Sequence, residues 1–89
     1  MERYYIIKGI QSWAFKGKDG SDVVGSKLFL EHVPAKAGTV GTSYEEVKLL
    51  QNVKDSLIEL YGGENNLIGV EISSINYDKY GRVNGFQFR

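Results

Sequence analysis

The sequence contains no cysteine, one histidine (His32) and one proline (Pro34). Without cysteine there is no disulfide framework, no thiolate nucleophile and no sign of secretion. With a single histidine, a zinc-type site lacks ligands. No apolar run approaches the roughly 18–20 residues that span a bilayer, and the N-terminus lacks the layout of a signal peptide. A soluble, cytoplasmic protein without a membrane partner is therefore expected. A charge excess is missing too: eleven lysines and arginines face eleven acids, so bulk charge predicts no polyanionic partner. Internal repeats and low-complexity segments are absent.

What the chain has is glycine, eleven of them, and aromatic rings. Eighty-nine residues make one domain with a modest core. "YYIIKGIQSWAF" (4–15) is β-branched and aromatic, with Gly9 marking a bend or bulge. Asp19-Gly20 is a hairpin signal, and 21–32 reads as a second strand with a further bend at Gly25. A loop of small residues covers 33–42, and 43–50 is the third strand. The period then changes. Val53, Leu57 and Leu60 form a helical stripe, Asn52 reads as N-cap with Asp55 in a capping box, and Gly62 ends the helix. Residues 66–77 form the fourth strand, with Ile68, Val70 and Ile72 on one face. "DKYG" turns the chain into a fifth strand at 82–88.

The expected class is mainly β, in the order β-β-β-α-β-β, with one short helix between strands three and four. Long strands interrupted by glycine are what a small closed barrel requires, and a helix at that point would plug one end. This order resembles the OB-fold, a five-stranded partly open barrel that binds ligands on strands two and three and on the loops joining strands one to two and four to five. The resemblance spans essentially the whole chain.

Those two loops carry the same mixture of side chains. The first has Trp13, Phe15, Lys16 and Lys18; the second has Tyr77, Lys79, Tyr80 and Arg82. Rings stack on unpaired bases and cations track phosphates, so the mixture suits single-stranded nucleic acid. Lys27 and Phe29 on the second strand and Phe86 on the fifth complete the candidate binding set. Each has a plainer reading. Phe86 and Phe88 serve equally well as core fillers, Lys27 and Lys48 as charges that keep strand edges unpaired, and Lys16 and Lys18 as a solvated tip.

The stretches "YYIIKGIQSWAFKGKDGSDVVGSKLFL" and "VEISSINYDKYGRVNGFQF" resemble small single-stranded-DNA-binding, helix-destabilising proteins of bacterial phages and mobile elements. The resemblance implies an OB-like barrel, a role in DNA replication, frequent homodimers, and base stacking by Trp13, Tyr77, Tyr80 and Phe86. Length alone also favours a dimer, which would bury more apolar surface. RNA is not distinguished from DNA, since no residue plainly reads a 2′-hydroxyl. No catalytic residues, metal ligands or cofactors are expected. Glu45 and Glu46 face opposite ways on a strand, no serine lies in a nucleophile elbow, and "GKDGS" falls short of a P-loop. The alternative is a non-enzymatic protein-interaction or structural module whose exposed rings bind a protein partner.

Overall fold

Two long strands, β1 (Tyr4–Lys16) and β2 (Asp22–Val33), form the spine of the molecule as an antiparallel hairpin. The computed structural model describes residues 3–89. β3 (Tyr44–Leu50) pairs with β2 and runs directly into α1 (Gln51–Tyr61). A 3-10 turn (Asn65–Leu67) leads to β4 (Glu71–Tyr77), which pairs with both β1 and β5 (Val83–Phe88). The result is one five-stranded antiparallel sheet, ordered β3-β2-β1-β4-β5, with one short helix. No helix among the described residues is long and apolar enough to cross a membrane.

Gly9 does what its place in the sequence requires. The register passes from Ile7 opposite Leu30 to Gly9 opposite Phe29, leaving Lys8 as the extra residue of a bulge. The bulge breaks the two-residue period, so Ile7 and Ile10, three apart, both reach the core. That core joins them to Leu28, Leu30, Val47, Leu49 and Ile72 from the sheet and to Leu57 from the helix. Lys54 is also buried under the helix. Its ammonium lies 3.3 Å from Glu64 and donates to Ser12 Oγ at 3.3 Å, and that pairing lets a charge be held away from water.

Several expectations are corrected. The sheet is not closed into a barrel. Its edge strands β3 and β5 approach one another, yet no ladder joins them among the described residues. β5 is six residues long and bulged at Asn84, so it offers β3 no regular edge. The helix is capped differently: Leu50, still extended, occupies the N-cap and makes no side-chain bond. Because strand and helix adjoin without a loop, Asn52 and Asp55 fall inside the helix, where Asp55 accepts from Gln51 Nε2 at 2.9 Å. Gly62 ends the helix as expected, in the left-handed region with its N–H on the Ile58 carbonyl at 2.7 Å. Leu60 is exposed, and the helix buries Lys54 and Leu57 instead. Ile68 precedes the fourth strand and is exposed, because the 3-10 turn occupies the ground assigned to that strand's start.

Candidate nucleic-acid interface

The register of the first three strands sets three cross-strand rows on the side of the sheet away from the core. Gln11, Lys27 and Lys48 form one row; Trp13, Gly25 and Leu50 the next; Gly9, Phe29 and Glu46 the third. In two of these rows an aromatic ring lies over a glycine on the neighbouring strand. Phe29 covers Gly9, its Cδ2 3.3 Å from where a Cβ would stand. The Trp13 indole covers Gly25, where a Cβ would come within 2.8 Å of Cε2. A bare backbone at position 25 is thus what lets a large flat ring rest on the sheet. Phe15, two residues on, stacks on the indole with centroids 5.5 Å apart and planes 16° from parallel. The indole Nε1 is buried without a hydrogen-bond partner.

Trp13 forms one wall of a groove of about 330 Å³ at the seam between β3 and β5. Residues 46–50 of β3 make the floor, and Tyr77, Arg82 and Val83 make the far wall. A second depression is lined by Trp13 together with Gln11, Phe15, Lys27 and Lys48. Trp13 and Lys48 therefore border both recesses.

The hairpin that supplies Tyr77 and Arg82 turns as the first hairpin does. In each, the first residue of a five-residue turn donates its N–H to the carbonyl of the fifth (Gly17 to Ser21 and Asp78 to Arg82, both 2.8 Å). In each, the fourth residue is a glycine at positive φ that donates back to the first (Gly20 to Gly17 and Gly81 to Asp78, both 3.0 Å). This is a three-residue hairpin loop with a left-handed glycine. The Asp78 carboxylate accepts from the N–H groups of Tyr80 (2.8 Å) and Arg82 (2.9 Å) and from Arg82 Nε (3.1 Å). These bonds, the Arg82 backbone first, hold its pKa below the ordinary carboxylate value. The Arg82 guanidinium and the Lys79 ammonium each lie 5.1 Å from the centre of the Tyr80 ring.

The expected site residues separate accordingly. Trp13, Tyr77 and Arg82, from two different hairpins, share one groove. Phe15 and Lys27 lie on the adjoining surface. Phe29 is on the same face, occupied in covering Gly9. Lys79 and Tyr80 sit at the second turn and are exposed, with Tyr80 69% accessible. Lys16 and Lys18, at the first tip, are exposed but line neither recess. Phe86 is on the wrong side for base stacking. It packs against the core beside Phe88 and lines a cleft with Val53, Leu57 and Leu60 of the helix. Two expected cations are also shared with acids, Lys27 with Glu46 at 3.3 Å and Arg82 with Asp78.

Sequence reasoning gave too little weight to Lys48. It faces the same way as Trp13 and has no acidic partner among the described residues. Its signal was the alternation within "YEEVKLL", which places Lys48 opposite to the core residues Val47 and Leu49. No group of His, Asp and Glu side chains among the described residues is arranged to hold a metal ion. No family model, curated protein or solved structure matches the chain.

Proposed function

We propose that the protein binds single-stranded DNA without strong sequence preference, along the groove between Trp13 and the Tyr77–Arg82 wall. One observation carries this reading: two hairpins far apart in sequence bring an indole, a phenol and a guanidinium to a single groove at the seam between β3 and β5. Bases stack on Trp13 and Tyr77, and Lys48, Lys27, Lys79 and Arg82 accompany the phosphates. Because the indole N–H is unpartnered at rest, turning the ring toward a base sacrifices no hydrogen bond. The strand order and the helix after β3 support an OB-like reading of this open sheet, with the seam between β3 and β5 as the opening. A role in phage or plasmid DNA replication, and a homodimer that lengthens the binding track, are parts of the same proposal and rest on the resemblance described above.

The test is a titration with oligo-dT followed through Trp13, the only tryptophan. Quenching is expected, with affinity falling as salt rises. For ~2–4 phosphate contacts the log–log slope is roughly −1.4 to −2.8. Trp13→Ala should weaken binding by about 1–3 kcal/mol, which is about 5- to 150-fold. A parallel titration with oligo-rU separates DNA from RNA. Unchanged fluorescence and no complex at low salt would sink the proposal and leave a protein-interaction module as the reading of these exposed rings.

A further inference from the structure

A second cavity, of about 380 Å³, opens between the start of β1, the end of β2 and the loop that follows β2, and it is more enclosed than the groove. The two share no lining residue. Tyr4, Tyr5, His32 and Val33 are half-buried and form the body of the cavity, whereas Arg3 and Lys36 are exposed and stand at its mouth.

The body is braced from behind. His32 Nε2 meets the Glu45 carboxylate at 2.7 Å, and the Tyr5 ring packs edge to face against the imidazole with centroids 4.7 Å apart. The Arg89 guanidinium, bridged to Glu71 at 2.9 Å, lies 4.0 Å from the centre of the Tyr4 ring. The loop wall is fixed as well: the Lys36 N–H donates to Ser43 Oγ at 2.9 Å, and its carbonyl accepts from the Thr39 N–H at 3.0 Å. Rings held in this way offer a ligand apolar surface that is already ordered before it binds.

The mouth has the opposite character. Neither Arg3 nor Lys36 has an acidic partner among the described residues, whereas Lys8, Lys27, Lys54 and Arg82 each do. No carboxylate among the described residues lines the cavity, and Glu45 is engaged by His32. Two unneutralised cations, one of them a planar guanidinium fork, match a group with close to two negative charges and several acceptor oxygens. A phosphate monoester has both, whereas a carboxylate carries a single charge. The volume falls in the range of small-molecule sites, with room for more than a bare phosphate.

We infer that this cavity binds a nucleoside monophosphate, its ring system against Tyr4, Tyr5 and His32 and its phosphate between Arg3 and Lys36. This site goes beyond the groove and does not depend on it.

The experiment is an NMR titration of the intact protein with dTMP and dAMP. Thymidine and deoxyadenosine serve as ligands without the phosphate, and ribose 5-phosphate and inorganic phosphate as ligands without the base. The series is repeated on an Arg3→Gln/Lys36→Gln double variant, whose spectrum away from the cavity should match the parent because both positions are exposed. Both nucleotides are expected to shift Lys36 and His32 while leaving the Trp13 indole N–H resonance in place. Loss of the phosphate or of the base should each weaken binding by about tenfold, the worth of one charge-assisted hydrogen bond or one stacked ring. The double variant should bind the nucleotides no better than the nucleosides. If inorganic phosphate binds as tightly as dTMP, the ring assignment falls. If the nucleosides match the nucleotides, or the double variant binds dTMP like the parent, the two cations hold no phosphate and the inference fails. Movement of the Trp13 resonance without movement at Lys36 puts the nucleotide in the groove; that result, or no shift from any compound, overturns the inference outright.

Discussion

Gly25 decides whether the proposed interface exists, because Trp13 can lie flat only over a residue without a side chain. A Cβ there would meet the indole and also stand 2.5 Å from the Leu49 carbonyl oxygen, which belongs to the neighbouring strand and cannot swing away. Gly25→Ala is therefore expected to destabilise the fold by about 1–3 kcal/mol. Gly85→Ala, whose nearest neighbour is the Asn76 amide at 3.8 Å, should stay within about 0.5 kcal/mol of the parent. Urea unfolding of the two variants checks both; equal stabilities would mean that the indole does not rest where the structure puts it. The sequence made Trp13, Gln11 and Phe15 legible as one face, since strand side chains alternate. It made Gly25 look like a bend, because its real use appears only once the register sets it opposite Trp13. Phe86 shows the same limit. Alternation puts Phe86 and Phe88 on one face, but only the packing of α1 decides that this face is the inner one.

At the scale of elements, the hairpins were the most legible parts and the helix boundaries the least. Asp-Gly and Tyr-Gly announce turns through local backbone chemistry alone, whereas the helix start depends on where β3 stops, which tertiary packing sets. The second turn carries a measurable signature. Asp78 has a pKa below its ordinary value of 3.8 because the folded turn gives it three N–H donors. A carboxylate depressed in this way stabilises the folded state above its unfolded pKa, and that contribution is lost as pH falls through the lower folded value. Asp78→Ala should therefore be less stable than the parent at neutral pH, with the difference shrinking below about pH 4. Thermal unfolding from neutral pH down to about pH 2 reads it directly. A difference that stays constant across that range would show that the charge of Asp78 does not hold the turn.

For the whole molecule, the balanced composition hides a sorted surface. A count of charges cannot reveal the sorting, because pairing depends on which strands are neighbours. Glu46 looks like a liability beside a nucleic-acid groove, yet it is spent on Lys27; Glu45 is likewise taken by His32, and Asp78 by Arg82. Lys48 is left as a cation on the Trp13 face that no carboxylate offsets among the described residues. A phosphate that meets Lys48 displaces no protein partner, whereas one that meets Lys27 must compete with Glu46, so the two lysines should differ in their share of counterion release. Lys48→Gln is accordingly expected to weaken oligo-dT and oligo-dA binding alike and to reduce the magnitude of the salt slope by about 0.7. Lys27→Gln should change the slope less, because a lysine already neutralised by Glu46 releases fewer counterions when a phosphate meets it. If both variants change the slope equally, Lys27 is as available as Lys48 and the bridge to Glu46 does not govern the surface. If neither changes it, phosphates do not cross this face and the strand, if one binds, runs elsewhere.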